Sequence, residues 1–156
     1  AATSQLVSSF RALRVWIVGS GTASYEKQLI RQVRIAKLEK TILFFGHVSE
    51  KKKYHLLKNA WIHVHPSLKE GFGLTVLEAA SQQTATVCFD VAGLRELVVD
   101  GETGVLVKNE TANAFARVRN RRLHGLSRDH RDQWSEGGVY LLLPRLRQPR
   151  ERAAKG

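Results

Sequence analysis

The amino-acid sequence predicts an α/β domain with a doubly wound, Rossmann-like parallel sheet. Two observations predict it. Between Arg14 and Val118, short β-branched or aromatic runs alternate with amphipathic segments, and turns rich in Gly or Pro separate them. Runs that are apolar throughout and are joined by helices suit a parallel sheet covered on both faces. A chain of 156 residues with 43% hydrophobic content is long enough for one domain with an ordinary core.

The predicted elements follow one another regularly. Leu29, Val33 and Ala36 recur at helical spacing in the first amphipathic segment. Glycine or Pro-Ser turns close the first three strands, and Asp100–Gly104 forms a tight turn into the fifth. The predicted strands are Val15–Val18, Ile42–Phe45, Ile62–Val64, Thr86–Phe89 and Val105–Val107. The predicted helices are Tyr25–Leu38, Glu50–Ala60, Leu74–Gln82 and Leu94–Val99, with another beginning near Thr111.

The pattern changes after about Val118, and we predict a domain over 1–118 followed by a basic tail over 119–156. Residues 1–116 carry 14 Lys and Arg against 10 Asp and Glu, whereas residues 117–156 carry 11 against 4. Most of the net charge of +11 therefore belongs to the tail. The tail has no sustained helical stripe, so we expect it to be loosely ordered or foreign, and its composition resembles translation out of frame.

Several classes of protein are disfavoured. The single cysteine, Cys88, excludes a disulfide framework within the chain and is interpreted as a small buried hydrophobe. No apolar run approaches the length of a membrane span, and the N-terminus has no signal-peptide pattern. The histidines are scattered, so no metal site is expected; His63 and His65 share one face of their strand, and His65 adjoins the loop described next.

Candidate binding residues lie where predicted strands lead into helices, because ligands of open parallel sheets bind beyond the carboxyl ends of the strands. Gly19-Ser20-Gly21 lets a backbone approach a ligand closely, although such turns are common. The segment from Pro66 to Gly73 offers more, because Gly71 and Gly73 allow main-chain amides to converge on an anion at a helix N-terminus.

Three side chains in or just after this second loop are further candidates for ligand binding. Thr75 can offer its hydroxyl to a phosphate oxygen, and Glu70 and Glu78 can accept hydrogen bonds from sugar hydroxyls. Taken alone, Glu70 could be an acidic neighbour of the helix N-terminus, and Glu78 a solvated or salt-bridged residue. Glu78 lies among apolar residues, however, and a buried carboxylate needs a reason to be buried.

The stretch Glu70–Glu78 (EGFGLTVLE) resembles the E-x7-E signature of retaining GT-B glycosyltransferases, in the form typical of family 4. Other segments resemble the same family in the right order and spacing, over roughly residues 5–116. They are VWIVGSG from Val15, FFGHV from Phe44, IHVHPS from Ile62, VAGLRE from Val91 and DGETG from Asp100.

The resemblance implies a C-terminal, nucleotide-sugar-binding domain and a role for each matching residue. Glu70 would contact the donor sugar near the reacting carbon, as the catalytic residue, and Glu78 would hold the ribose. The glycosyl group would move from a UDP- or GDP-linked sugar to an acceptor with retention, without metal or other cofactor, because helix dipole and basic side chains stabilise the leaving diphosphate. The remaining donor-binding positions are Gly19, Gly21, Gly46 and Val48, with Phe72, Gly73, Leu74 and Thr75 around the diphosphate.

The sequence also departs from this family. A complete member has an N-terminal acceptor-binding domain, and its C-terminal domain opens with a V-G-R-L-type strand followed by an Arg…Lys pair. Neither has a counterpart here, and Ser4–Leu13 resembles the helix that comes next. Because that strand is central in the family, we expect residues 14–107 to leave a gap beside Val15–Val18, and we expect no transferase activity from this chain alone.

Alternatives stay open. Another GT-B enzyme that handles nucleotide sugars or sugar phosphates, such as an epimerase or a phosphorylase, would share much of the pattern. A basic module that binds nucleic acid or a membrane surface would account for the tail, but aromatic interleaving and an amphipathic basic helix are lacking. We expect a cytoplasmic protein, with peripheral contact to the inner face of the membrane left open.

Overall fold

The computed structural model describes residues 13–108, 111, 114, 118 and 139–142. In this part of the chain, six parallel strands form one sheet in the order β2-β1-β6-β3-β4-β5. The strands are β1 (Arg14–Val18), β2 (Ile42–Gly46), β3 (Ile62–His65), β4 (Ala85–Phe89), β5 (Gly104–Val107) and β6 (Val139–Leu142). The helices are α1 (Ala23–Ile35), α2 (Glu50–Lys58), α3 (Leu74–Ser81) and α4 (Ala92–Arg95).

The predicted α/β fold with a parallel sheet is confirmed. Each of the five predicted strands lies within one residue of its observed bounds, and the first three helices form where the apolar spacing placed them. The fourth is shorter and earlier than predicted, because α4 ends at Arg95 and a turn follows at Glu96 and Leu97. Near Thr111, the Ala114 amide donates to the Thr111 hydroxyl at 3.2 Å, and Ala114 is helical.

Side-chain caps start the first two helices. The Thr22 hydroxyl accepts the Tyr25 amide, and the Ser49 hydroxyl accepts the Lys52 amide, each at 3.3 Å. Each helix also has a glutamate in its first turn, where a negative charge is favourable beside the exposed amides. The third helix begins differently, because Gly73 at its N-cap is left-handed and contributes no side chain.

The core is divided by the sheet. On one face, β-branched and other apolar residues of the strands form the largest cluster, which includes Val15, Ile62, Val87 and Val105. On the other face, α2 and α3 pack through Leu56, Leu57 and Ala79, and α4 adds Leu94 next to Cys88. The interpretation of Cys88 as a buried hydrophobe is confirmed, since it is fully buried, and its burial raises the pKa of the thiol to about 12.

Strand β2 is only partly covered by the rest of the fold. This strand lies at the edge of the sheet, and its Leu43 and Phe44 side chains are 42% and 39% exposed. The helix beside it, α1, has no buried residue. The edge position leaves β2 with β1 as its neighbouring strand.

The open position predicted beside Val15–Val18 exists among the first five strands, since β1 and β3 do not pair with each other, but it is filled. Strand β6 lies there and pairs in parallel with β1 on one side and β3 on the other. The gap expected within residues 14–107 is therefore present, and Val139–Leu142 of the predicted tail occupies it. A short apolar run between Gly and Pro breakers satisfies the two free strand edges.

The other residues of the predicted tail lie outside the described residues, as does Ser4–Leu13 except for its last residue, so the division at residue 118 stays a prediction. Among the described residues, no helix is long and apolar enough to cross a membrane.

Candidate functional site

The loop after β3 and the helix α3 carry the candidate residues from Glu70 to Glu78. Strand β3 ends at His65, the loop extends from Pro66 to Gly73, and α3 begins at Leu74. Because the strands are parallel, this loop lies at their carboxyl ends, where open α/β sheets bind ligands.

Glycine is required at two positions around this loop. Gly73 has φ 65° and ψ 40°, and a Cβ there would lie 2.9 Å from side-chain carbons of both Leu94 and Leu97. Gly93, on α4, packs against the backbone of Glu70, and a Cβ on Gly93 would overlap the Glu70 carbonyl oxygen. The short helix α4 therefore holds the glycine turn in place from outside, and it can do so only with glycine at position 93.

The Glu70 carboxylate turns back onto its own loop. One oxygen, Oε1, accepts the amides of Gly73 at 3.2 Å and Phe72 at 3.5 Å, and the other, Oε2, lies 3.1 Å from Nε2 of His65. Its side chain is only 4% exposed. The two amides that the family resemblance assigns to a diphosphate thus meet a carboxylate of the protein in this structure, which shows that they can converge on an anionic group.

His65 connects Glu70 to the first turn of α3. Its Nδ1 lies 3.0 Å from Oγ1 of Thr75, while its Nε2 faces Glu70. The ring is buried. With one ring nitrogen at each partner, His65 fixes the carboxylate and the hydroxyl relative to each other. The sequence suggested His65 only as a neighbour of the site, and its position directly before the loop was the available signal.

Glu78 lies on α3, three residues beyond Thr75, and forms a second cluster with α2. Its Oε1 accepts a hydrogen bond from Nζ of Lys53 at 2.7 Å, and Lys53 also pairs with Glu50 at 2.9 Å. The predicted burial of Glu78 is confirmed, since the residue is 9% exposed. Its second oxygen, Oε2, is buried and has no hydrogen-bond partner among the described residues.

The contacts with Glu78 and Glu50 affect the pKa of Lys53. Partial burial acts to lower its pKa, but the hydrogen bonds and negative charges of Glu78 and Glu50 outweigh it, so the pKa of Lys53 is raised. Lys53 therefore stays protonated and offsets the cost of burying the Glu78 carboxylate. The sequence did not single out Lys53, which is one of three consecutive lysines, because only its place on the helix makes it face α3.

Three glycines gather in a separate cleft. Gly19, Gly21 and Gly46 line it together with the side chains of α1 and the sheet, and the Gly19 amide donates to the Gly46 carbonyl at 2.8 Å. Gly19 and Gly46 both have positive φ, of 120° and 63°. The other lining residues are Ile17, Ser20, Tyr25, Glu26, Leu29, Ile30 and Phe44, so the cleft is mostly apolar.

The structure thus brings the sequence-predicted residues into three neighbourhoods, one of which is Glu78 beside Lys53 of α2. Glu70, Phe72, Gly73 and Thr75 meet around His65. Gly19, Gly21 and Gly46 lie in the cleft of α1, which the turn does not line. Leu74 exposes 60% of its surface at the start of α3, and Val48 packs against the apolar cluster that contains Ala79 of α3.

Among the described residues, no three His, Cys, Asp or Glu side chains are grouped so as to hold a metal ion. His63 points into the core, where its Nδ1 lies 3.1 Å from Oγ1 of Thr86.

The sequence matches a known family over most of its length. A sequence model described as "Glycosyl transferases group 1" matches residues 1–138. The chain is 38% identical over 95 residues to the lipopolysaccharide core biosynthesis mannosyltransferase LpcC of Rhizobium leguminosarum bv. viciae, covering 61% of this chain and 26% of the relative. It is 37% identical over 105 residues to the glycogen synthase of Mycobacterium tuberculosis strain H37Rv, covering 67% of this chain and 25% of the relative.

Solved structures agree with these relatives. Sucrose-phosphate synthase from Thermosynechococcus elongatus superposes with a TM-score of 0.67 at 25% identity, over 86% of this chain and 34% of that one. Anabaena HepE, in complex with UDP, superposes with a TM-score of 0.60 at 25% identity, over 67% of this chain and 29% of that one. The chain spans about a quarter of the length of the curated relatives that it matches.

Proposed function

Because this chain belongs to the glycosyl transferases of group 1 and forms a GT-B glycosyltransferase domain, we propose that its loop and helix from Glu70 to Glu78 bind the nucleoside-diphosphate sugar from which a glycosyl group is transferred. The donor sugar would lie at Glu70, the diphosphate at the glycine turn and the N-terminus of α3, and the ribose at Glu78.

One observation carries this proposal: the two carboxylates at the ends of the motif are both buried and both held by a side chain of a neighbouring strand or helix. His65 holds Glu70, and Lys53 holds Glu78. Burying a carboxylate costs several kcal/mol unless its partners compensate, so two such residues flanking a glycine turn are not typical of a plain loop. Carboxylates at fixed positions suit the recognition of sugar hydroxyls.

The chemistry follows from the same geometry. The amides of Phe72 and Gly73 already converge on a negatively charged group, Glu70, so they suit an anion. When a donor diphosphate binds there, Glu70 would turn from these amides towards the sugar, and the N-terminus of the eight-residue α3 would help to stabilise the leaving group. We propose transfer with retention, as in family 4, and without a metal ion.

The nucleotide is proposed from a relative. HepE was solved with UDP, and its match to this chain at 25% identity supports a uridine nucleotide ahead of a guanosine nucleotide. In this proposal the base would meet the backbone at Gly46 and Val48, next to the cleft that Gly19 and Gly21 line.

Complete transfer is proposed to need sequence beyond this chain. The matched segments cover only about a quarter of each relative, which leaves room for an acceptor-binding domain. We therefore expect the 156-residue chain to bind a donor but to transfer no sugar. We propose a cytoplasmic location for the protein.

Calorimetry with the purified chain tests the donor site. We expect saturable binding of UDP or a UDP-sugar, weakened about tenfold or more by Glu78→Gln, because a hydrogen bond to a charged group contributes about 1.5–3 kcal/mol. The control is Glu39→Gln, which removes one negative charge from an exposed residue on the loop after α1 and is expected to leave the affinity unchanged. Equal affinities for the two variants, or no saturable binding to the unmodified chain, would contradict the proposal.

A further inference from the structure

We propose that Lys53 is a positioning residue for the donor nucleotide, which holds the Glu78 carboxylate in the orientation that accepts the ribose hydroxyls. This inference rests on the proposed function, and it adds a residue that neither the E-x7-E motif nor the glycine turns contain. Lys53 lies on α2, 25 residues before Glu78, so the contact joins two helices that are separate in the sequence.

The contact is close and partly shielded from water. Nζ of Lys53 lies 2.7 Å from Oε1 of Glu78, and the two side chains are 17% and 10% exposed. An ion pair at such a depth is screened less than one on the surface, so it restricts the carboxylate more firmly. Lys53 also pairs with Glu50, whose side chain is 74% exposed and contributes little by comparison.

The two oxygens of Glu78 are in different situations. Oε1 is held by Lys53, whereas Oε2 is buried without a hydrogen-bond partner among the described residues. An unpaired buried acceptor costs about 1–3 kcal/mol, so a ligand that brings a hydroxyl donor to this oxygen recovers that free energy. Ribose offers two neighbouring hydroxyls, which match a carboxylate whose orientation is already fixed.

A merely structural role makes a different prediction. If Lys53 only tied α2 to α3, removing it would weaken the binding of every nucleotide alike, through a looser site. If Lys53 acts through Glu78 on the ribose, its removal would weaken only those nucleotides that carry ribose hydroxyls. UDP and 2′,3′-dideoxyuridine diphosphate share base and diphosphate and differ only in these hydroxyls.

The test measures the affinity of the 156-residue chain for these two nucleotides by calorimetry. We expect the unmodified chain to prefer UDP, and Lys53→Met, which keeps the aliphatic stem, to lose about tenfold in affinity for UDP while the affinity for the dideoxy nucleotide changes less than about twofold. Lys53→Arg should keep most of the preference, and Lys51→Met, which removes the same charge from an exposed position on α2, should keep all of it.

The other outcomes show whether the inference about Lys53 fails alone or together with the proposed function. Equal losses for both nucleotides in Lys53→Met, or no loss for either, would overturn the inference while the proposed function stands. An unmodified chain that binds UDP without preferring it over the dideoxy nucleotide would also overturn it. An unmodified chain that binds neither nucleotide contradicts the proposed function, and the inference falls with it. A thermal unfolding midpoint for each variant shows whether it is folded, and Lys53→Gln replaces Lys53→Met if the latter is not.

Discussion

His63 and His65 lie on the same face of β3, their ring centroids 5.7 Å apart, and yet they have different surroundings. His65 reaches the loop and contacts Glu70 and Thr75. His63 is fully buried beside Thr86, and burial first, with the nearby His65 in addition, lowers the pKa of His63 to about 3. One of the pair thus belongs to the candidate site, while the other is a neutral residue of the core.

The low pKa of His63 predicts a specific dependence of stability on pH. In the unfolded chain a histidine takes up a proton near pH 6.5, whereas His63 in the folded chain stays neutral until about pH 3, so its contribution to stability is complete above pH 6.5 and is lost as the pH falls towards 3. Between about pH 7 and about pH 5 this loss amounts to about 2 kcal/mol.

Urea unfolding at about pH 7 and at about pH 5 measures this loss of stability. His63→Asn, which keeps a polar atom near Thr86 but has no titrating ring, should show a fall in unfolding free energy about 2 kcal/mol smaller than the unmodified chain. His47→Asn removes an exposed histidine and should behave like the unmodified chain. If His63→Asn keeps the full dependence on pH, His63 titrates in the folded protein and its pKa is not depressed.

At the scale of single residues, the sequence pointed to Glu70 and Glu78 more clearly than to the side chains that contact them. Glu70 and Glu78 are recognisable because their spacing and the glycines between them form a local pattern. Lys53 and His65 are distant in the sequence from at least one of their contacts, and a lysine among lysines gives no sign of which one faces inward. Gly93 was part of a matching segment, but only the packing of α4 on Glu70 shows why glycine is needed there.

The elements of the sheet were predictable because each carries its own signal. Buried parallel strands are mostly apolar, so β4 and β5 stood out, and hydroxyl caps at Thr22 and Ser49 agree with where α1 and α2 begin. Strand β6 was missed, because four apolar residues within an Arg-rich segment are too few to predict a strand. Its place depends on two unpaired edges, on β1 and β3, which are a property of the assembled sheet.

The central position of β6 predicts that its backbone matters for stability. Leu141→Pro removes an amide from a strand that pairs on both sides, and it should lower the free energy of unfolding by about 2 kcal/mol or more. Leu141→Val keeps the amide and is the matched control, with an expected loss of under about 1.5 kcal/mol. Chemical denaturation of both variants measures the difference, and equal stabilities would show that β6 does not contribute to the sheet.

The whole molecule combines a recognisable donor-binding pattern with a strong positive charge. The chain belongs to the group 1 glycosyltransferases, and the net charge of +11 lies mostly after residue 116. A basic segment attracts any polyanion, diphosphates included, so weak binding of UDP is not by itself evidence for a site. The location of the bound nucleotide distinguishes a specific donor site from general attraction to the basic segment, and affinity alone does not.

The most direct measurement is therefore a residue-resolved NMR titration of the 156-residue chain with UDP, with inorganic pyrophosphate as the control for simple anion binding. We expect saturable amide shifts from Phe72 to Glu78 and from Gly46 to Val48, with pyrophosphate reproducing only those at the glycine turn. Shifts confined to 119–156, and reproduced in full by pyrophosphate, would contradict a donor site in the Glu70–Glu78 segment.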